Sequence, residues 1–297
     1  MKKPLLVGLA GLALLGIDSA KAADVAVPTY PAASPVIVPP SYFEWFGPYV
    51  GAIAGGGFEN TRTQYSYSSS PTTVANDFGA VFGPAGPGSA VDNAIAQGFL
   101  PTSLGQKATG FFTAGGLVGF NFRMAQFVYG LEGDFDWMNG FRTNSFVAPP
   151  RTVGIFTVSN NVTQSSGLRW LATIRGRAGY AINRFLIFAT GGGAFARATA
   201  TTNETFNETI QTTSTDFFSG RGSRSSGFVA GGGIEYGLLD YLTVRAEYLY
   251  YNLGSVNFQV AATSTPTGVG QGLTIFAHQR FDGNIFRIGL NYKPEWL

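Results

Sequence analysis

Polar and apolar residues alternate with a period of two in several segments of the chain, which is the pattern of a β-strand with two different faces. The alternation is clearest in 127–137, 168–180, 241–251 and 286–292. It is weaker in 47–58, 109–122, 185–197 and 226–237. The pattern therefore predicts about eight strands, most of them with one apolar and one polar face.

The connections between these segments alternate in length. Short connections surround residues 123–126, 182–184 and 238–240, whereas four long connections are expected at about 59–108, 138–167, 198–225 and 253–279. Short turns on one rim and long loops on the other are typical of bacterial outer-membrane barrels, whose termini lie on the short-turn, periplasmic side. Since an open sheet edge cannot face hydrocarbon, the strands must close on themselves. We predict an all-β fold, an eight-stranded antiparallel transmembrane β-barrel of the outer-membrane type with four long extracellular loops.

The first residues have the pattern of an export signal. Lys2 and Lys3 precede an apolar run over residues 5–17, and Ala20 and Ala22 provide the small side chains that a signal peptidase accepts. We predict a signal peptide at 1–22, a proline-rich periplasmic lead-in at 23–44 and the barrel at 45–297. After the signal, no apolar stretch reaches the roughly 18 residues of a spanning helix.

Composition narrows the environment further. Charged residues make up 12% of the chain, about half the usual fraction for a soluble domain, whereas 26 Phe, 13 Tyr and 41 Gly are present. The absence of cysteine excludes disulfides and thiolate chemistry. Without the three lysines and one aspartate of the predicted signal, 16 basic and 16 acidic residues remain, so charge gives no argument for a nucleic-acid partner. An exported, aromatic-rich and charge-poor chain fits the outer membrane of a Gram-negative cell.

Aromatic side chains near the predicted strand ends suit the two girdles that flank the apolar band of a membrane barrel. These residues are Trp45, Phe127, Trp137, Trp170 and Tyr292. We expect their rings at the membrane interfaces.

Five sequence blocks resemble, in order, those of the small outer-membrane β-barrel family of alphaproteobacteria. They are GPYVGAIAGGGF, GGLVGFNFRMAQFVYGLEGDFDW, LRWLATIRGRAGYAINRFLIFATGGGAF, VAGGGIEYGLLDYLTVRAEYLYYNLG and NIFRIGLNYKP, and they cover every predicted strand. Members of this family are often named outer-membrane immunogenic or porin-like proteins. The resemblance implies an eight-stranded barrel with a role in envelope integrity and surface contact and, in some members, a pore. It brings no catalytic residue and no cofactor to this chain.

The expected function is therefore that of a non-enzymatic, surface-exposed protein of the cell outer membrane. A narrow pore for small solutes is the alternative, and a barrel hydrolase is a further one. The expected partners are outer-membrane lipid, including lipopolysaccharide, with peptidoglycan and host surface molecules as additional candidates. We expect a monomer that binds no nucleic acid.

Charged residues recur on the polar faces of the predicted strands, which in a barrel point inward. The candidates for a lumen charge network are Glu132, Asp134, Asp136, Arg175, Arg177, Glu235, Arg245, Glu247 and Arg287, and Arg169 has the same parity as Arg175. Because a buried carboxylate without a partner is costly, inward acids should face inward arginines. A cation site and an acid–base pair are the alternatives; the many arginines oppose the first and a nearly filled lumen opposes the second.

His278 is the single histidine of the chain and limits any enzyme hypothesis. Hydrolytic sites commonly pair histidine with a nucleophile and a carboxylate. His278 lies beside Gln279 and Arg280 near the start of the last predicted strand, without a nucleophile motif nearby. We expect it on a rim or loop, with no catalytic residue and no metal site in the protein.

Overall fold

The computed structural model describes residues 43–69, 81–82, 89–209, 213–263 and 272–294. The predicted signal peptide, most of the lead-in and parts of three long connections lie outside the described residues. Within the described ranges, no helix has the length and hydropathy that crossing a membrane requires.

The elements that the structure describes in full are eleven strands and one helix. In chain order they are β1 (Gly47–Glu59), β2 (Thr63–Ser69), α1 (Ser89–Ala96), β3 (Ser103–Leu104), β4 (Thr109–Met124), β5 (Phe127–Met138), β6 (Arg142–Val153), β7 (Phe156–Ile182), β8 (Phe185–Thr209), β9 (Thr213–Leu239), β10 (Leu242–Ala262) and β11 (Leu273–Tyr292). Eight of the strands pair antiparallel in the order β1-β4-β5-β7-β8-β9-β10-β11, and β11 pairs back onto β1. The prediction of an eight-stranded antiparallel barrel is confirmed.

The outer face of part of the barrel is apolar. Along β8, the outward side chains of Phe185, Ile187 and Phe195 are exposed. The roughly ten residue steps from Phe185 to Phe195, at about 3.3 Å each and tilted by about 40°, rise by about 25 Å. That is the height of the apolar band of a membrane barrel. We call this part the membrane segment. The part of the barrel on the far side from the short turns, which on β8 begins after Phe195, is called the extension.

The long connections differ from the irregular loops that were expected. β7 begins at Phe156, β8 continues to Thr209, β9 begins at Thr213, and β10 and β11 extend similarly. The threonine-rich residues 198–209 favour strand conformation because β-branched side chains fit a pleated surface. Their alternate side chains, such as Thr202 and Phe206, are buried. The barrel wall therefore continues well outside the apolar band.

The wall of the extension includes three strands outside the eight-membered ring. β6 pairs with β7, whereas β2 pairs with β11 and β3. The interior contains α1, whose Ala90 and Ala94 are buried in one apolar cluster with Phe99, Phe206 and Phe218. The extension is thus a second core, built from the residues expected to be loops.

Three of the long strands, β7, β9 and β10, change which positions point inward. In β7, the inward positions are even from Val158 to Leu168 and odd from Leu171 to Ala181, with a register shift between Leu168 and Leu171. Arg169, expected on the inner face, is exposed over the Phe141 ring, with its Cζ 4.8 Å from the centroid. That expectation is wrong because a β-bulge changes the face of a side chain.

The predicted aromatic girdle is only partly present. Phe127, Trp137 and Tyr292 are exposed on the outer surface, and Trp170 stacks on Phe135 at a centroid distance of 5.9 Å. Trp45 is fully buried: its ring packs edge-on against Phe43 and its Nε1 donates to the Asn183 carbonyl at 3.4 Å. The expectation for Trp45 is wrong because Phe43 and Trp45, just before β1, point into the barrel.

Candidate functional site

All nine charged residues expected in the lumen are buried inside the barrel. The structure places Glu132, Asp134 and Asp136 on β5, Arg175 and Arg177 on β7, Glu235 on β9, Arg245 and Glu247 on β10, and Arg287 on β11. Hydrogen bonds and ion pairs link them into one network, which we call the lumen network. It combines four arginines with five carboxylates.

Strand register creates two of its ion pairs. Glu132 lies directly opposite Arg175 across β5 and β7, and the two form an ion pair. Glu247 lies opposite Arg287 across β10 and β11, with 2.8 Å between Glu247 Oε2 and Arg287 Nε. Directly opposed side chains on one face of antiparallel strands have Cβ atoms about 5 Å apart, so these contacts follow from the pairing itself.

Other contacts cross the lumen. Arg175 Nη1 on β7 donates to Glu247 Oε1 on β10 at 2.6 Å, although β8 and β9 separate the two strands in the ring. Arg245 Nη1 donates to Glu132 Oε2 at 2.5 Å, over a still longer path around the wall. These guanidiniums therefore occupy the middle of the barrel and connect opposite walls.

Arg287 binds the other two acids of β5. Its Nη2 donates to Asp134 Oδ2 at 2.7 Å, and its Nη1 donates to Asp136. Asp134 Oδ2 also accepts from Arg175 Nη2 at 2.6 Å. The three acids of FVYGLEGDFDWMNG thus share three arginines from β7, β10 and β11, which favours a charge network over a cation site.

Arg177 and Glu235 form the part of the network near the short turns. Arg177 Nη2 donates to Glu235 Oε2 at 2.8 Å, and its guanidinium lies 4.1 Å from the centroid of the Phe188 ring. Arg245 lies over the same ring at 5.2 Å. The aromatic face contributes a cation–π contact where fewer carboxylates are available.

Three uncharged residues complete the network and were not among the predicted members. Tyr49 Oη donates to Glu132 Oε2 at 2.8 Å and accepts from Arg177 Nη1 at 3.0 Å. Thr243 Oγ1 and Asn291 Nδ2 donate to Glu235 Oε1 at 2.5 and 2.8 Å. Thr243 and Asn291 lie on polar faces that alternation reveals, so counting uncharged polar residues would have found them. Tyr49 gives no such signal, since an aromatic residue in a strand is equally typical of the lipid face.

Inward glycines provide space for the long side chains. A Cβ at Gly119 would lie 2.3 Å from Tyr49 Cζ, and one at Gly289 would lie 2.7 Å from Ile53 Cγ2 and 3.2 Å from Arg245 Cγ. A side chain at either position would therefore displace a member of the network or its support.

Apolar layers lie on both sides of the network. Toward the short turns, Phe43 and Trp45 pack with Leu186 and Phe188. Toward the extension, a larger buried cluster includes Phe111, Leu171, Leu249, Tyr251 and Phe281. The charged groups are thus enclosed between two layers of apolar side chains.

The structure places His278 away from this interior. It lies on the outer face of β11, exposed, with its ring Nδ1 2.5 Å from Asn257 Oδ1. Among the described residues, no group of histidine, aspartate and glutamate is arranged to hold a metal ion.

Comparison with known proteins gives a family match over most of the chain. The family described as "Outer membrane protein beta-barrel domain" matches residues 44–293. The 31 kDa outer-membrane immunogenic protein of Brucella melitensis is 27% identical over 96% of this chain and 98% of its own length. The 22 kDa outer membrane protein of Rhizobium leguminosarum bv. viciae is 25% identical over 59% of this chain and 63% of its own.

Among solved structures, Neisserial surface protein A is similar at a TM-score of 0.28 and 9% identity, covering 84% of this chain and 97% of that one. The sequence comparisons agree with the resemblance noted from the strand blocks.

Proposed function

The chain belongs to the family of outer membrane protein β-barrel domains and lies in the cell outer membrane, and from this premise we propose that it is a closed, non-enzymatic barrel. Its membrane segment anchors the protein in lipid and contributes to envelope integrity, and its extension makes surface contacts. The observation that carries the proposal is the lumen network, enclosed between two apolar layers.

A filled lumen opposes a solute path. An eight-stranded barrel is just wide enough for its interior side chains. Here the guanidiniums of Arg175, Arg245 and Arg287 bridge opposite walls, and each binds more than one carboxylate. Opening a path would separate ion pairs that are shielded from water, which costs several kcal/mol for each broken pair. The network therefore acts as a rigid plug.

The extension supports the surface role. Its outer face is mainly polar, with exposed residues such as Asn161 and Ser223, while its interior contains an apolar core. A structured, water-exposed wall presents a defined surface for recognition. The Brucella relatives are named as immunogenic proteins, which is consistent with exposure of the same region. Host surface molecules are the proposed partners of the extension, and peptidoglycan is the proposed partner on the periplasmic side.

Conductance of the refolded mature protein in a planar bilayer tests the closed barrel. Folding is checked first by the different gel migration of unheated and boiled samples. We expect a silent, folded barrel, and we expect the double variant F43A/W45A to stay silent because the lumen network remains. Steady ohmic openings of the folded wild-type protein would contradict the proposal and favour a pore.

Hydrolysis assays test the non-enzymatic part. The refolded protein and the variant H278A are incubated with peptide and phospholipid substrates. We expect no turnover by either protein. Hydrolysis by the wild type that is lost in H278A would contradict the proposal and identify a catalytic histidine.

A further inference from the structure

In the extension, most acidic residues are buried, whereas many basic residues are exposed. Its buried acids, Glu204, Glu208 and Asp216, are enclosed by the wall. Exposed arginines, including Arg151, Arg197 and Arg221, lie on the outer surface. Among the described residues of this region, Asp92 and Asp282 are the acids that are not buried. The outer surface next to the apolar band is therefore strongly positive.

Three of these arginines line one cleft on the outer wall. The cleft has a volume of about 410 Å³ and is lined by Phe141, Arg169, Arg197, Thr199, Thr201 and Arg221. Strand pairing brings the arginines together: the bulge that contains Arg169 lies opposite Arg197, and Arg221 lies opposite Thr201. The same β-bulges that end the membrane segment thus gather three cations on one face.

The arginines of the cleft are available for a ligand. In the described part of the chain, Arg169, Arg197 and Arg221 form no ion pair with a carboxylate, in contrast to Arg280, whose Nε lies 3.3 Å from Asp282 Oδ1. The Arg169 guanidinium lies over the Phe141 ring, which restricts its orientation. Three like charges that face water without a carboxylate partner favour an anion, and a planar guanidinium can bind phosphate oxygens in pairs.

The height of the cleft matches the headgroup layer. Arg197 is two residues beyond Phe195, the last outward apolar ring of β8 in the membrane segment. Two tilted strand residues rise by about 5 Å. The polar layer of a bilayer leaflet is itself about 5–8 Å thick, as the difference between total and hydrocarbon thickness shows. The arginines therefore lie where the phosphates of an outer-leaflet lipid are found, with Phe195 below them against the acyl chains.

We propose that the Arg169–Arg197–Arg221 cleft binds phosphate groups of the phosphorylated glycolipid, lipopolysaccharide, in the outer leaflet. The three guanidiniums bind the phosphates, the Thr199 and Thr201 hydroxyls bind phosphate or sugar oxygens, and Phe195 contacts the acyl chains. One lipid thereby spans β7, β8 and β9 at the junction of the membrane segment and the extension. The inference rests on the position of the barrel in the outer membrane and is independent of whether the lumen conducts.

Native mass spectrometry of the refolded full-length mature barrel in detergent tests the site. The probes are purified lipopolysaccharide, the same lipopolysaccharide after enzymatic dephosphorylation, and inorganic phosphate. The variant R169Q/R197Q/R221Q is compared with the matched variant K107Q/R151Q/R280Q, which removes three positive charges elsewhere on the exposed surface. Heat-modifiable migration shows that each variant is folded.

We expect lipopolysaccharide binding to fall by about tenfold or more in R169Q/R197Q/R221Q and to change little in K107Q/R151Q/R280Q, because several charge-assisted hydrogen bonds are lost in the first variant. Dephosphorylated lipopolysaccharide should bind weakly to all three proteins. Equal binding by wild type and R169Q/R197Q/R221Q, or an equal loss in both variants, would overturn the proposal. Inorganic phosphate that binds the cleft as tightly as lipopolysaccharide would also overturn it, in favour of a site for free phosphate.

Discussion

The strand β7 runs through both the membrane segment and the extension, and its side chains reverse their chemistry between them. In the membrane segment, Ile174 is exposed and Arg175 is fully buried. In the extension, Asn161 is exposed and Val162 is fully buried. The alternation of faces is common to both regions, but in these pairs the apolar residue lies outside in the membrane segment and inside in the extension.

The reversal shows that the surroundings of a strand decide what its interior must contain. In water, burying a Val or Phe side chain contributes about 1.5–3 kcal/mol, so the extension is held by its apolar core. In lipid, the outer face must be apolar, and moving apolar groups inward gains little. The membrane segment is instead connected by directional ion pairs across the lumen. Each region should therefore be sensitive to a different kind of substitution.

Removing one arginine of the lumen network is the strongest way to test this difference. Arg175→Ala leaves Glu132, Asp134 and Glu247 without their shared partner, and we expect the free energy of unfolding to fall by about 3–5 kcal/mol. The control is Arg62→Ala, a half-buried arginine outside the lumen. Unfolding midpoints in urea measure the effect, and equal midpoints for the two variants would contradict a stabilising network.

Removing an apolar ring tests the core of the extension. Phe218→Ala deletes a buried ring that packs edge-on against Phe206, and we expect a loss of about 3 kcal/mol. The neighbouring Phe217 is half exposed on the other face of β9, so Phe217→Ala serves as the matched control. Limited proteolysis should show faster cleavage within the extension of the first variant while its membrane segment keeps heat-modifiable migration. Equal cleavage of both variants would show that the extension has no such core.

A buried carboxyl makes the stability of the extension, unlike a purely apolar core, dependent on pH. Glu204 lies outside the membrane segment, and its Oε1 accepts from Asn160 Nδ2 at 2.8 Å. Burial raises the pKa of Glu204 to about 8, against the opposing effect of the Asn160 hydrogen bond. Because the folded state holds the proton more tightly than the unfolded state, the stability of the extension is greatest below pH 4.5 and falls as the pH rises toward about 8.

Glu204→Gln should remove that dependence. At pH 9 we expect the variant to be more stable than the wild type by on the order of 2 kcal/mol, since no buried carboxylate has to ionise. At pH 4 the two proteins should be similar. The control is Asp92→Asn, an exposed acid of the same region. Urea midpoints at pH 4 and 9 decide the question, and a wild type as stable at pH 9 as at pH 4 would contradict this account of Glu204.

Much of the membrane segment could be predicted from the sequence. The positions of the eight strands follow from alternation, because a strand places successive side chains on opposite faces whatever its neighbours are. The nine charged residues could be assigned to the interior for the same reason, since a charge on the lipid face is costly at the middle of the bilayer. Tyr49 and Trp45 could not be assigned, because their amphipathic rings suit the lipid interface and the interior equally.

The extension was harder to predict because its strands show a weaker alternation of polar and apolar residues. Residues 198–209 contain threonine, asparagine and glutamate in alternation with few large apolar residues, which resembles a polar loop. Their strand structure depends on α1, Phe99 and Phe218, which come from other parts of the chain and cover the inward side chains. The position of Arg169 depends on a bulge that pairing with β8 reveals.

The sequence by itself determined the eight strands of the barrel, their short turns and the inward placement of the charged residues, because these depend on local alternation and on the exclusion of charge from lipid. Tertiary structure alone decided which arginine binds which acid across the lumen, where the bulges change the inward face, and that the long connections form a second core. These features depend on contacts between residues distant in the chain, such as Arg287 with Asp134, and on strand register, which no local pattern contains.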